Sequence, residues 1–196
     1  RYRGIFPDID IQVIPHGVDL LAMAVDGELV PASAQPATEL RIVYVGTIIP
    51  QKGLDVLLRA LALIPNARLR LTAIGGFFGE PAYHEEINRL ANADARVELV
   101  GGVDGRKVFQ ALQRAMLLCL PSVVPESFSL VLHESAAAGI PALVSDLGAP
   151  AELMRSHDCG RAVEAGNPQA WAVAIQELVD APETLGHWKE NLFLPL

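Results

Sequence analysis

The sequence predicts an α/β fold built on a doubly wound parallel sheet, and three observations carry that prediction. From about Leu40 onward, short apolar bursts alternate with helix-like stretches. The bursts are apolar throughout, which marks strands buried on both faces. The stretches between them repeat apolar residues at helical spacing, so each strand is followed by a helix that covers the sheet. Right-handed crossovers then wind the sheet in both directions, and ligands of such sheets sit outside the carboxyl ends of the strands.

LRIVYVG (40–46) is the first strand, stopped by a glycine. KGLDVLLRALALI (52–64) follows, with Leu54, Leu57, Leu58, Leu61 and Ile64 on one helix face. RLRLTAIGG (68–76) is the second strand, and PAYHEEINRLAN (81–92) is a more exposed helix. RVELVGG (96–102) is the third strand, and Asp104 caps the helix DGRKVFQALQRA (104–115). MLLCLPS (116–122) is a continuously apolar fourth strand that buries Cys119 as a packing residue. FSLVLHESAAAG (128–139) is a helix closed by Gly139, and PALVS (141–145) is the fifth strand. APAELMRS (149–156) and PQAWAVAIQELVD (168–180) are helices, with a short RAVEA segment (161–165) between them. Residues 1–39 differ: a strand-like IQVIP (11–15) precedes a linker rich in Ala, Pro and Glu.

Composition narrows the function. The chain has 196 residues, enough for one domain with a real core. Half of it is hydrophobic (51%) and the mean hydropathy is +0.31, which excludes disorder. A net charge of −8 argues against nucleic-acid binding. Two cysteines make no disulfide framework, and a reducing, cytoplasmic setting is expected. No apolar run reaches the length of a membrane span. The five histidines show no metal-ligand spacing, and His133 reads as a packing or surface residue. The chain starts at Arg1 and reads as a piece of something longer.

The loops after the strands carry the chemistry. In VGTIIPQKG (45–53), Gly46 allows close backbone approach, and Lys52 stands at a helix start that favours anions. That suits a phosphate, or a plain turn with a solvated lysine. IGGFFG (74–79) either lets a ligand approach at Gly75 or is a flexible turn, and it is not a dinucleotide fingerprint. In PSVVPESFSLVLHESAAAGIPALVS (121–145), Glu126 precedes a helix and Glu134 lies two turns into it. Free amides around Ser127 to Leu130 can hold a diphosphate, and a carboxylate on each side can accept from sugar hydroxyls. Glu134 sits among Leu130, Val131, Ala137 and Ala138, where a carboxylate wants a partner or a site. Ser122 and Ser127 lack the context of a nucleophile elbow.

This last stretch resembles the E-x7-E motif of the family 4 (group 1) retaining glycosyltransferases, P-S-x-x-E-x-F-G-L-x-x-x-E-A-M-A-x-G-x-P-V. VIPHGVD (13–19), VGTIIPQKGLDVLLRA (45–60) and RVELVGG…LLCLPS (96–122) resemble further family segments in the family's order. The resemblance implies one half of a GT-B enzyme, in which two Rossmann-like domains face each other across a cleft. The chain matches the C-terminal, donor-binding half. Residues 1–39 would be an interdomain segment and linker, 40–180 the nucleotide-sugar-binding domain, and 181–196 a helix crossing back to the absent N-terminal domain. That crossing would leave Trp188 partly exposed.

By the resemblance, Glu134 holds the ribose hydroxyls, Glu126 faces the transferred sugar and Lys52 contacts the diphosphate. The backbone of Phe128, Ser129 and Leu130 faces the donor, and Gly101 lies where the base is met. No metal and no cofactor are implied. The partners are a nucleoside diphosphate sugar and the absent acceptor domain, with peripheral contact at the inner membrane face possible through that domain. Two departures stand out: Thr47 replaces the family's arginine, and Ser129 its glycine. Two other readings stay open: a non-catalytic nucleotide-sugar-binding module, and an isomerase like the UDP-sugar 2-epimerases, which share the GT-B fold but lack this helix. The fragment alone is expected to bind donor without efficient transfer.

Overall fold

The computed structural model describes residues 39–193. The strand-like 11–15 segment, His16 and nearly all of the linker lie outside the described residues. Six parallel strands form one sheet: β1 (Leu40–Val45), β2 (Leu69–Ile74), β3 (Val97–Gly101), β4 (Leu117–Leu120), β5 (Ala142–Ser145) and β6 (Gly160–Val163). The helices are α1 (Leu54–Leu63), α2 (Pro81–Asn92), α3 (Gly105–Arg114), α4 (Leu130–Ala137), α5 (Gly148–His157), α6 (Pro168–Asp180) and α7 (Glu183–Glu190). The strand order is β3-β2-β1-β4-β5-β6, the doubly wound Rossmann-like order that the alternation predicts. The winding reverses between β1 and β4, so the loops that follow those two strands flank a crevice.

Period-two alternation in each central strand divides the core between the two faces. Leu40, Ile42 and Tyr44 of β1 join Leu117 and Cys119 of β4 and Leu143 of β5 on one face. Val43, Leu118, Leu120, Ala142 and Val144 point to the other. Helices α1, α2, α6 and α7 cover the first face, while α3, α4 and α5 cover the second. Both faces need aliphatic side chains, so β4 is an unbroken apolar run, β5 is apolar up to Ser145, and both are buried at every residue.

Local signals place most helix ends. The Asp104 side chain accepts from the Lys107 amide at 2.9 Å, as expected of an N-cap. Gly139 takes φ +75° just past α4. Asn167 caps α6 by accepting from the Gln169 and Ala170 amides, ahead of Pro168. Two expectations change. RAVEA is not a bare connector: residues 160–163 pair with β5 as a sixth strand, too short at this exposed edge for its alternation to show. Trp188 is only 5% exposed, because α7 folds back on α6 and seats the indole in the larger core.

Arg96 closes the far end of α1. Its guanidinium donates to the carbonyls of Leu61 and Ile64 at 2.8 Å each, and to the Asp94 carboxylate at 2.6 Å. These carbonyls stand at the C-terminal end of α1, where each also accepts one backbone amide, Ile64 on Leu61 and Ala67 on Ile64, and a cation there complements the dipole. The Arg96 hydrogen bond holds the Asp94 carboxyl below its usual range. Its contribution is therefore present above the unfolded carboxylate pKa and is lost as pH falls through the folded value. Arg96→Met should cost about 2–4 kcal/mol in urea unfolding at neutral pH. A loss under about 0.5 kcal/mol, the ordinary range for a surface substitution, would mean the cap is dispensable.

Candidate functional site

Two loops meet at the reversal point of the sheet because glycines let their backbones touch. Gly53 has φ +65°, and a Cβ there would lie 2.0 Å from the Pro121 carbonyl oxygen. Beside that contact the Val123 amide donates to the Gln51 carbonyl at 2.9 Å. The β1 loop is thereby fastened to the β4 loop. A third loop joins from the β5 end: the Ala149 amide donates to the Glu126 carbonyl at 2.9 Å. There a Cβ on Gly148 would lie 2.3 Å from the same oxygen.

The outcome is an ion pair across the crevice. Lys52 Nζ lies 2.8 Å from Glu126 Oε1, with the lysine side chain 36% exposed and the glutamate 15%. The buried Ser122 hydroxyl donates to that same oxygen. Lys52 does not open α1 as expected. It ends a short 3-10 turn (Pro50–Lys52), and the left-handed Gly53 starts the helix. A lysine 74 residues from Glu126 in sequence thus meets Ser122 on one carboxylate oxygen.

The glycines before the crevice lie side by side. The Gly46 amide donates to the Ile74 carbonyl at 3.0 Å, and the Gly75 amide to the Gly101 carbonyl at 2.9 Å. A Cβ on Gly75 would come within 1.9 Å of the Gly46 oxygen, so what it admits is the neighbouring chain. Gly101 has φ +79° and open space around it. Thr47 is exposed, and its carbonyl accepts from the Tyr44 hydroxyl at 3.2 Å. Burial, with Tyr83, Glu126 and Asp55 nearby, raises the Tyr44 hydroxyl well above its usual pKa, so it stays a donor.

Helix α4 starts at Leu130, two residues later than the pattern suggested, and Glu134 lies about one turn in. The free amides at its entrance are those of Leu130 to Leu132; the His133 amide already reaches the Ser129 carbonyl at 3.4 Å. Ser127 is exposed, whereas Ser129 is buried at the N-cap and makes no side-chain cap. His133 is a packing residue: its ring stacks on Phe128 at 4.2 Å, and its Nδ1 lies 2.8 Å from the Ser129 carbonyl oxygen. Glu134 is half-buried and, among the described residues, has no hydrogen-bond or ion-pair partner. Burial pushes its carboxyl pKa up.

The expected site residues therefore fall on neighbouring loops at the carboxyl edge. Lys52 and Glu126 are in contact, and Gly46, Gly75 and Gly101 are adjacent. Glu134 makes no hydrogen bond to the pair. Ser122 was set aside on sequence; its signal was a hydroxyl four residues before Glu126 in a loop that must turn back. A groove of about 410 Å³ on the sheet face, lined by Arg41, Arg70, Lys107 and Arg114, contains none of these residues. Among the described residues no three His, Cys, Asp or Glu side chains are placed to hold a metal, and no helix is long and apolar enough to cross a membrane.

Comparison with known proteins bears on this geometry. The family model for glycosyl transferases group 1 matches residues 26–193. A D-inositol 3-phosphate glycosyltransferase of Rhodococcus jostii (strain RHA1) is 32% identical, over 94% of this chain and 43% of its own length. The chain thus spans under half the length of that curated relative. The sucrose-phosphate synthase (tll1590) of Thermosynechococcus elongatus superposes with a TM-score of 0.76 at 27% identity, covering 98% of this chain and 51% of that one. Anabaena Alr3699/HepE in complex with UDP gives 0.67 at 25% identity, covering 79% and 43%.

Two predictions follow from the crevice. Gly53→Ala combines a left-handed backbone with a clash against a carbonyl, and should cost about 3 kcal/mol or more. Gly139→Ala has a similar φ but open space, and should cost about 1 kcal/mol. Equal losses in denaturant titrations would contradict the stitching of the two loops. For Glu134 the raised pKa means the folded chain binds its proton more tightly than the unfolded chain. Its charge therefore lowers stability above the folded pKa, and the penalty fades as pH falls through that value. Glu134→Gln should raise the unfolding temperature at pH 8 and do so less at pH 5. A lower midpoint at pH 8 would reveal a favourable contact for the carboxylate.

Proposed function

The chain belongs to the group 1 glycosyl transferases, and from that premise we propose that it is the C-terminal, donor-binding domain of a retaining, metal-independent glycosyltransferase. The donor is a nucleoside diphosphate sugar, and the sugar passes to an acceptor hydroxyl with its anomeric configuration kept. The observation that carries this reading is the Lys52–Glu126 contact at the reversal point of the sheet, where a flexible ammonium and a carboxylate face the crevice side by side.

Charge develops on the departing diphosphate as the glycosidic bond to it breaks. The Lys52 ammonium and the free amides of Leu130 to Leu132 supply positive potential there without a divalent ion. Glu126 accepts from hydroxyls of the transferred sugar. Glu134 accepts from the ribose hydroxyls, which accounts for a half-buried carboxylate kept without a protein partner among the described residues. The UDP complex of the Anabaena neighbour supports a nucleotide as the ligand. The acceptor is read by an N-terminal domain across the crevice, with residues 1–39 as the link, 40–180 as the donor domain and 181–196 returning towards that domain. Without it, the chain binds donor and transfers poorly.

A second reading has one observation in its favour. Thr47 is exposed where the family carries an arginine, so a fixed positive charge is missing. On that reading the domain binds nucleotide sugar without catalysis. Thermal melts with UDP, GDP and ADP test the first reading. A nucleotide at a hundred times its dissociation constant adds about 2.7 kcal/mol, roughly 5–11 °C for a domain of this size. One nucleotide should produce that shift, and Glu134→Ala should abolish it. No shift with any of them, in the chain or in the complete natural protein, would count against a donor site here. In the complete protein, Lys52→Ala and Glu126→Gln should each cut transfer at least tenfold. Unchanged biological output in both would favour the non-catalytic reading.

A further inference from the structure

We propose that Ser122 is a positioning residue that keeps the Glu126 carboxylate aimed into the crevice when a bound diphosphate draws Lys52 away from it. The inference rests on the donor-site reading above. One oxygen of Glu126 accepts from both Lys52 Nζ and the Ser122 hydroxyl. Among the described residues its other oxygen accepts nothing, so it is free for a sugar hydroxyl.

The two donors differ in how they are held. Lys52 is a mobile point charge on a flexible four-carbon stem, with its side chain 36% exposed. A diphosphate carries more charge than a carboxylate, so binding one pulls the ammonium off Glu126. Ser122 cannot follow. It is 6% exposed, two residues past the end of β4. Its neighbours on either side are fixed: Pro121 lies against Gly53, and the Val123 amide is bonded to Gln51. The Glu126 backbone is held in turn by Ala149 and Gly148. A short hydroxyl on a fixed loop thus restrains the carboxylate at its side-chain end in both states. Lys52 restrains it only in the empty one. Removing the hydroxyl leaves Glu126 free to rotate in the loaded site, where misplacement by about 1 Å can cost about a hundredfold.

The test uses the complete natural protein and nucleoside diphosphate release from UDP-glucose, UDP-N-acetylglucosamine, GDP-mannose and ADP-glucose with water as the acceptor that takes the sugar, followed with the fastest of these. Ser122→Ala should lower kcat about tenfold while changing KM less than twofold. Ser122→Thr, which keeps the hydroxyl, should return to within about threefold of the natural protein. Ser122→Ala placed on Glu126→Gln should cost less than twofold more, because the hydroxyl acts through that carboxylate. The proposal is overturned if Ser122→Ala leaves kcat unchanged, if threonine fails to rescue, or if the alanine costs tenfold on both backgrounds. In these cases Glu126→Gln alone is slow and the donor-site reading stands. If Glu126→Gln turns over normally, or none of the four sugars is used, the donor-site reading falls and the role of Ser122 falls with it.

Discussion

The contact between Gly53 and the Pro121 carbonyl organises the crevice. Any side chain at residue 53 would occupy the space of that oxygen, and the left-handed backbone there lets the 3-10 turn end and α1 begin within one residue. This brings the β1 loop against the β4 loop at the point where the strand order reverses. Lys52 precedes Gly53 directly, so its ammonium is delivered to Glu126 by the same close approach. The carboxylate is clamped from the other side, since Gly148 admits the Glu126 carbonyl and Ala149 hydrogen-bonds to it. Backbone packing brings the two residues within reach, and the flexible lysine stem then closes the ion pair.

The sheet supplies the rigidity that such a contact needs. β1 and β4 are central strands, and their side chains are shared between two cores that seven helices cover. The loops at their carboxyl ends are therefore short extensions of the most buried part of the molecule. Tyr44 extends that logic under the first loop, where a buried hydroxyl that remains protonated binds the Thr47 carbonyl.

Glu134 shows the opposite economy. Its neighbours in α4 are buried, its carboxyl pKa is raised by burial, and among the described residues nothing pairs with it. A group that lowers the stability of the free domain is expected where a ligand later satisfies it. Lys52 and Glu126, by contrast, satisfy each other. The two carboxylates of the E-x7-E stretch thus differ: among the described residues one is unpaired and the other is held by a lysine and a serine.

Much of this was legible in the chain. The continuous apolar run at 117–120 and the short ALVS at 142–145, each set between helical stretches, read as strands covered on both faces, and Asp104 and Gly139 carry their capping chemistry in their own side chains or lack of one. The spacing of Glu126 and Glu134 around a helix start pointed to the carboxyl edge of β4. The sequence could not place Lys52 in a 3-10 turn, count residues 160–163 as a strand, or bury Trp188. Each of these depends on what lies alongside: Gly53 meeting Pro121, β5 offering an edge, α6 offering a face. Nor could it show that Ser122 and Lys52 converge on one oxygen, because hydrogen bonds between residues 74 apart are decided by how loops pack. Local pattern determines which segments are strands and helices and which residue types reach the crevice. Only the tertiary structure decides which of those groups touch, since that depends on non-local backbone contacts no periodicity records.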